Sequence, residues 1–507
     1  MSVQRRDFLL GSVAVLTLGG VTTNIWAQDK RASLGIAYPI DVQSWDPTSV
    51  TSPALQSIYK TVFDSPMIVD RDGKIAPRQF LSWEWANDDM TQLKVKLREG
   101  LKFHDDTPLT TADFKYSFET RLAQNKTIVL RGMIPDLTTV DISSATDCIV
   151  NFRKPAPTVV PYFAFLGAYI LPKVVIERDG LESFLAKPIG AGPYRIKDYQ
   201  RGSRLLLEAM NEFWDGTPAI PSVFFQILSE PATRVAALES GEVDMALQVP
   251  IREATRLQSG SKFKVDIFPI AELYILQIPS HVDIYKDDNV RRAMHLAIDK
   301  KALSKAFYAG VAPAISVLSP PGTLGDVPDF VVPHDPAAAS EALAKSGYSP
   351  EKPAKIRLLT TNGTFPGDYE VARAISAMWR AVGIEATIDE ITVAKYFELN
   401  HNHKLPGVTL YSWGNATQDP ENYAGRLLDP RLPFSAWKDD AVTAEVEALL
   451  REPDEAKRIA GYRALNRKAS ENNWCIPLLQ AVMTVAYKSD IKFTPHPASY
   501  VLPAEMS

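Results

Sequence analysis

Hydrophobic and polar positions alternate along this chain in short blocks of two kinds. In the first kind the period is two, as in the run 93–97, where Leu93, Val95 and Leu97 are separated by lysines. This pattern is typical of a strand with one buried face. Further strands are predicted over 223–228, 264–270, 273–278, 384–389 and 407–413.

The second kind of block has the period of an α-helix. Apolar residues recur from Val290 to Phe307, with Asn289 as the predicted cap and Gly310 as the terminator. A second helix is predicted over 335–347, and an apolar stripe over 371–382 predicts a third that stops at Gly383. Because strands and helices alternate throughout, the chain is predicted to have an α/β fold.

The first 27 residues predict an export signal. Arg5 and Arg6 precede an apolar run over 10–21, which is shorter than the ~20 residues of a spanning helix. The arginine pair favours a twin-arginine signal cleaved near Ala27, with an N-terminal amphipathic helix as the alternative. No cysteine follows the run, so we expect a soluble periplasmic protein rather than a lipid-anchored one.

Composition narrows the function classes. Of the 507 residues, 46% are hydrophobic and 23% are charged, as in folded globular proteins. The net charge of −5 gives no indication of nucleic-acid binding. The two cysteines, Cys148 and Cys475, are too few for a metal cluster. In an oxidising compartment they either pair or remain two buried thiols.

Motifs for catalysis or cofactor binding are largely missing. Residues 190–193 read Gly-Ala-Gly-Pro, but the third glycine of a dinucleotide loop does not follow. No phosphate loop, His-Glu-x-x-His or Gly-x-Ser-x-Gly motif occurs. His401 and His403 suit either an exposed turn or weak metal binding. For His104 a structural hydrogen bond is favoured over a dyad with a neighbouring aspartate. We therefore predict no catalytic residue, cofactor or metal site.

Aromatic residues near predicted strand ends indicate a binding function instead. They are Tyr38, Trp45, Trp83, Trp85, Tyr411 and Trp413. Many aromatics serve the core, but Trp413 is followed by the polar run 414–420, which would place a stacking surface beside polar groups. This pattern favours a site for a small polar ligand.

Five ordered blocks carry a resemblance to a known family. The first spans 73–113 and comprises 73–77 (Gly-Lys-Ile-Ala-Pro), 81–84 (Leu-Ser-Trp-Glu) and 97–113, which starts Leu-Arg-Glu-Gly-Leu-Lys-Phe-His-Asp-Asp. The blocks 188–194, 237–244 and 290–299 follow, and then come Trp413-Gly414 and Asp419-Pro420. The chain resembles the large periplasmic solute-binding proteins of ABC importers, family 5, which include dipeptide-, oligopeptide- and nickel-binding members.

The resemblance implies a two-lobed periplasmic-binding-protein fold of class II, large, with an extra inserted subdomain. Lobe I would comprise 28–55, 187–270 and 476–507, with the inserted subdomain over 56–186. Lobe II would cover 271–475, and the chain would cross between lobes near 268–278 and 475–480. A ligand would bridge the lobes of a monomer, a membrane permease would recognise closure, and the ATPase would supply the energy.

The same resemblance implies candidate ligand contacts. These are Tyr38, Trp45, Asn362, Trp413, Asn415 and Asp419, although Asp419 equally suits a turn before Pro420. In peptide-binding members an aspartate holds the α-ammonium, and Ala416 stands at that position here. The loop 360–366 also lacks the arginine that holds the carboxylate. A plain dipeptide is thus disfavoured against an opine or another amino-acid or sugar conjugate. A nickel- or metal-chelate-binding protein and an exported enzyme are the alternatives.

Overall fold

The computed structural model describes residues 31–49, 52–124, 128–415, 417 and 419–507. Its strands are β1 (Ser33–Tyr38), β2 (Met67–Val69), β3 (Ile75–Pro77), β4 (Phe80–Trp85), β5 (Gln92–Leu97), β6 (Leu137–Ile142), β7 (Asp147–Phe152), β8 (Tyr194–Gln200), β9 (Arg204–Ala209), β10 (Ser222–Ile227), β11 (Met245–Leu247), β12 (Phe263–Gln277), β13 (Ala354–Thr360), β14 (Ile384–Glu390), β15 (Val408–Gly414) and β16 (Cys475–Lys488). The predicted export signal lies outside the described residues.

The helices alternate with these strands. They are α1 (Gln56–Phe63), α2 (Thr111–Lys115), α3 (Arg121–Gln124), α4 (Val129–Met133), α5 (Val159–Tyr162), α6 (Lys173–Asp179), α7 (Leu181–Ala186), α8 (Pro231–Ser240), α9 (Ile251–Gln258), α10 (Asp288–Leu296), α11 (Lys300–Phe307), α12 (Pro336–Lys345), α13 (Asp368–Val382), α14 (Val393–His401), α15 (Ala424–Leu428), α16 (Asp440–Arg451) and α17 (Glu455–Glu471). Within the described ranges, none is both long enough and apolar enough to cross a membrane.

Ten strands form one mixed sheet in the order β14-β13-β15-β12-β16-β11-β1-β10-β9-β8. The antiparallel strands β12 and β16 lie in its middle and are its longest members. Their register shifts between Pro269 and Leu273. A second, four-stranded sheet has the order β4-β5-β7-β6, and β2 pairs with β3. The predicted α/β class is what the structure shows.

Two local predictions needed correction. The predicted strands 264–270 and 273–278 form the single strand β12, because the register shift does not end the pairing with β16. The helical stretch after Asn289 is divided into α10 and α11. The side chain of Asp287, not Asn289, accepts the capping hydrogen bond of α10, and Asp299 caps α11 in the same way. Helices α12 and α13 match their predicted ranges, with Gly383 ending α13 in the left-handed region.

The core divides into several clusters of buried apolar side chains. The largest packs on the ten-stranded sheet, from Leu34 on β1 to Met506. A second is built mainly from residues between Met67 and Ile170 around the four-stranded sheet. This second cluster lies mostly in the range predicted for the inserted subdomain, although the exact boundaries of the subdomains remain a prediction. Cys148 belongs to the second cluster and Cys475 to a third, and both are buried free thiols.

The Gly190-Ala191-Gly192 block serves packing. A Cβ atom on Gly190 would lie 2.0 Å from the carbonyl oxygen of Val62 on α1, and one on Gly192 would lie 2.5 Å from that of Thr61. His104 holds the same block. Its Nδ1 accepts from the Gly190 amide at 3.2 Å, and its Nε2 lies 3.1 Å from the Gly192 carbonyl. The structural hydrogen bond predicted for His104 is therefore present.

Candidate functional site

The carboxyl end of β1 points toward the middle of β12. Ile36 on β1 pairs with Met245 on β11, which pairs with Tyr487 on β16, and Tyr487 lies opposite Lys264 on β12. The next residue of β1, Ala37, corresponds through the same pairings to Val265, which is one residue nearer the centre of β12. β1 thus runs in the same direction as β12 does toward its register shift between Pro269 and Leu273, with β11 and β16 lying between the two strands.

β15 runs toward the same register shift from the opposite direction and ends beside it. β15 is antiparallel to β12, with Thr409 opposite Gln277 and its final residue, Gly414, opposite Glu272. In α/β proteins, ligands bind beyond the carboxyl ends of strands where the topology changes direction. Residues 270–272 of β12, where β15 ends and where Pro53 approaches Gly414, are therefore the candidate functional site, here called the meeting point.

Hydrogen bonds to backbone groups hold residues 270 and 271 in place, where the register of β12 shifts. The side-chain amide of Gln480 donates to the Ile270 carbonyl at 3.0 Å. The Ala271 amide donates to the Pro497 carbonyl, and the Asn415 amide donates to the Ala271 carbonyl, both at 2.7 Å. The irregular backbone thus has partners from three separate segments, as buried peptide groups require.

Two predicted lobes touch at this point. A Cβ atom on Gly414 would lie 3.5 Å from Cγ of Pro53 and 3.9 Å from Oε2 of Glu272. Pro53 belongs to the range predicted for lobe I, whereas the other two belong to that of lobe II. Just before Gly414, half-buried Trp413 donates from Nε1 to the Asn422 carbonyl at 2.6 Å and lies edge-on to Phe434.

The side chains of Asn415 and Asp419 form hydrogen bonds with other residues of their own loop. Asn415 is fully buried, donates to the Asp419 carbonyl at 2.8 Å and accepts from the Asn422 side chain at 3.0 Å. The carboxylate of Asp419 accepts from the Glu421 amide at 2.9 Å and pairs with Arg458 at 2.8 Å. These bonds fix the loop that follows Trp413. A ligand contact by either residue remains a prediction, and Ala416 lies outside the described residues.

Tyr38 and Trp45 are buried, with exposed fractions of 2% and 8%. The Tyr38 hydroxyl donates to the Ala54 carbonyl, next to Pro53, and burial raises its pKa to about 12. Its neutral hydroxyl therefore connects the end of β1 to the residues that touch Gly414. Trp45 packs edge-on against Tyr199 at 5.3 Å between ring centroids.

Asn362 lies in the exposed loop after β13, and its side-chain amide is 3.4 Å from Glu390. The loop is ordered by Asp368, which accepts from the Thr361 hydroxyl at 2.6 Å and from the Gly363 amide at 2.8 Å. Trp413 near the end of β15 and Asn415 and Asp419 in the loop after it thus lie together, and Tyr38 is connected to the end of β15 through Ala54 and its neighbour Pro53. Among the described contacts, none connects Asn362 or Trp45 to that loop.

Glu272 is the residue that the sequence analysis missed. It is half-buried at the meeting point, and burial raises its pKa although a hydrogen bond from Ser412 acts against this. A signal was present in the sequence, because Glu272 is the only charged residue within the stretch from Ile267 to Ile278, which joins the two predicted strands. Its significance depends on the pairing with Gly414, which no local pattern predicts.

A polar contact joins the predicted inserted subdomain to predicted lobe II. The Tyr162 hydroxyl donates to the buried carboxylate of Glu421, which also lies 3.4 Å from Arg426. Nearby, Arg451 pairs with Asp136 at 2.6 Å. Contacts of this kind are expected between two lobes that have closed on each other.

Other places in the structure give weaker indications of a functional site. A surface cavity of about 290 Å³ is lined by Ile68–Asp72, His496 and Glu505, and none of these residues belongs to the meeting point. His401 ends α14, and both His401 and His403 are exposed. Within the described ranges, no group of three or more metal-ligating side chains comes together.

Comparison with known proteins identifies the family. The model of the bacterial extracellular solute-binding proteins, family 5 Middle, matches residues 74–431. This chain belongs to that family. The periplasmic oligopeptide-binding protein OppA of Escherichia coli K12 is 24% identical to it over 470 residues, covering 86% of this chain and 85% of OppA. The nickel-binding protein NikA of Staphylococcus aureus is 24% identical over 422 residues, covering 81% and 79%.

A solved structure supports the fold. The solute-binding protein MoaA from A. tumefaciens R10, in complex with mannopinic acid, has a TM-score of 0.79 and 22% identity, covering 94% of this chain and 99% of that chain. The resemblance, the two-lobed periplasmic-binding-protein fold and the function as a substrate-binding component of an ABC importer are thereby confirmed. Ligand, contact residues and lobe boundaries remain predictions.

Proposed function

We propose that this protein captures a small polar solute at the meeting point and delivers it to the permease of an ABC importer from the periplasm, acting as a monomer. The observation that carries this proposal is the approach of Pro53, from the range predicted for lobe I, to Gly414 at the end of β15, opposite Glu272 of β12. A ligand held there would touch both lobes and favour their closure.

The ligand class follows from the groups at this point. Trp413 offers a half-buried ring, with the polar groups of its loop beside it. An aromatic face with a few fixed polar groups suits a solute that is part apolar and part polar. OppA is named for oligopeptides, and MoaA was solved with mannopinic acid. We favour an opine or another amino-acid or sugar conjugate over a plain dipeptide, because the loop 360–366 lacks an arginine.

The test is a thermal-shift screen of the mature chain, residues 28–507, over peptides, opines, sugars and nickel chelates. A ligand at 100 times its Kd stabilises the folded state by about 2.7 kcal/mol, which gives a clear shift in Tm. Stabilisation by nickel chelates alone would favour the metal-chelate alternative. No stabilisation by any class, or consumption of a compound that binds, would contradict the proposal.

A matched pair of variants tests whether the ligand binds at the meeting point. Trp413→Ala should abolish the ligand-induced shift in Tm, because it removes the ring at the meeting point. Trp83→Ala is the control, since Trp83 is also half-buried but lies on β4 of the four-stranded sheet. An unchanged shift in Trp413→Ala would move the site elsewhere.

A further inference from the structure

Glu272 is placed to meet whatever occupies the meeting point. It lies opposite Gly414 in the β12–β15 ladder, and its Oε2 is 3.9 Å from where a Cβ atom on Gly414 would be. Gly414 has no side chain to cover the carboxylate. Pro53, from the other predicted lobe, stands on the same side at 3.5 Å from that Cβ position. The carboxylate therefore lies where the two predicted lobes meet.

The charge of Glu272 has no cationic partner in the part of the chain that the structure describes. Several buried carboxylates have one. Asp46 pairs with Arg121 at 2.5 Å, and Asp419 pairs with Arg458 at 2.8 Å. The two residues outside the description in the loop after Gly414 are Ala416 and Gln418, both uncharged. A carboxylate withdrawn from water without a cation is costly, so a residue of this kind is expected to acquire its partner from outside the chain.

Aromatic side chains lie within the electrostatic reach of this carboxylate. Burial, and after it the negative charge of Glu272, raises the pKa of Tyr411 and of Tyr423. Tyr411 is half-buried and stacks on Tyr396 at 4.0 Å between ring centroids. Aromatic faces attract cations, and the attraction grows where water is excluded. In the ladder, however, Tyr411 lies opposite Ile275 and Glu272 lies opposite Gly414, so the side chains of Tyr411 and Glu272 face opposite sides of the sheet.

We infer that Glu272 binds a cationic nitrogen of the transported solute, an ammonium or a guanidinium group. The inference rests on the proposed function and narrows its ligand class. By resemblance, Ala416 leaves the loop after β15 without the aspartate that would hold an ammonium group. The structure places a carboxylate on the neighbouring strand, opposite a residue only two positions before Ala416. Neutral sugars are then poor ligands, and opines and other amines are good ones.

The experiment compares Glu272→Gln with Asp266→Asn. Asp266 is a carboxylate on the same strand, but it accepts a hydrogen bond from Tyr487 at 2.8 Å, away from the meeting point. The probes, measured by calorimetry, are mannopinic acid and Met-Leu, each beside its N-acetyl derivative, with mannitol as a neutral polyol. We expect binding only by compounds that keep the cationic nitrogen, and at least tenfold weaker binding to Glu272→Gln. Asp266→Asn should bind as the wild type does.

The ligand-free Tm separates this role from a structural one. Glu272 has no cationic partner among the described residues, and a glutamine oxygen can still accept the hydrogen bond from Ser412, so Glu272→Gln should melt at the wild-type temperature or above it. A clear fall in its Tm would show a structural role and overturn the inference. Equal binding of a probe and its N-acetyl derivative, equal binding to wild type and Glu272→Gln, or binding of mannitol alone would overturn it too, while the proposed function would stand. No binding by any of the five compounds, together with a negative screen, would contradict the proposed function itself.

Discussion

Tyr162 donates its hydroxyl hydrogen bond to the buried carboxylate of Glu421, although the two residues lie 259 positions apart. Tyr162 belongs to the predicted inserted subdomain and Glu421 to predicted lobe II. Arg426 completes the group, donating to the Tyr162 oxygen at 3.2 Å and lying 3.4 Å from the carboxylate. The bond joins two parts of the chain that would separate if the lobes opened.

Tyr162→Phe should therefore weaken ligand binding. Without the hydroxyl, Glu421 loses a donor in the closed form only, and a buried group left short of a partner costs about 1–3 kcal/mol. Ligand affinity should fall by roughly tenfold, since 1.4 kcal/mol corresponds to a factor of ten, and the radius of gyration without ligand should rise in small-angle scattering.

The control for this variant is Tyr169→Phe. The Tyr169 hydroxyl donates to Gln56 at 2.6 Å, and both residues lie within the predicted inserted subdomain. Its loss should lower the free energy of unfolding without changing affinity. If the two variants bind ligand equally well, the Tyr162–Glu421 contact does not stabilise the closed form.

Local patterns correctly predicted whether most of the tested segments are strands or helices. They did not predict how these elements pair and pack against each other. The alternation in 264–270 and 273–278 correctly indicated strand, yet only the pairing with β16 shows that the two form one strand. Asn289 and Asp287 are both good caps two residues apart, so sequence alone could not choose between them. The burial of Tyr38 and the place of Glu272 depend on register between distant strands, which the local period does not contain.

Gly190→Ala should strongly destabilise the fold. A Cβ atom there would lie 2.0 Å from the Val62 carbonyl oxygen, a backbone atom that cannot rotate away. We expect a loss of more than about 3 kcal/mol in the free energy of unfolding, in line with overpacked cores. Urea titration followed by tryptophan fluorescence measures it. Gly132→Ala on α4 is the control, because nothing lies within 4 Å of its added Cβ atom. A Gly190→Ala variant as stable as Gly132→Ala would contradict the packing account.

Both cysteines should resist modification in the native protein. Cys148 lies on β7 and Cys475 begins β16, in different clusters, and burial raises the pKa of each thiol to about 12. The thiolate is the reactive form, so a thiol reagent should modify neither residue until the protein is denatured. Both should then react without prior reduction. A mass showing no free thiol in the denatured, unreduced protein would instead establish a disulfide.

Acid should destabilise the fold in a window set by its buried histidines. Burial lowers the pKa of His104 to about 4 despite its hydrogen bond to the Gly192 carbonyl, and burial also lowers that of His496 to about 4. The unfolded chain takes up these protons near pH 6.5, so between pH 6.5 and 4 it binds more protons than the folded protein. The free energy of unfolding must therefore decrease as the pH falls through this window and is fully retained above it.

His104→Asn should remove the contribution of His104 to that pH dependence. The asparagine oxygen can still accept from the Gly190 amide, as Nδ1 does, while the bond to the Gly192 carbonyl is lost. At pH 7.5 the variant should lose about 1 kcal/mol. Between pH 6.5 and 4, its stability should fall less than that of the wild type, by an amount on the order of 2 kcal/mol. Urea titrations at both ends of the window measure this, with the exposed His281→Asn as the control. Equal slopes for all three proteins would mean that His104 is protonated in the folded state, which would contradict its role as an acceptor for the Gly190 amide.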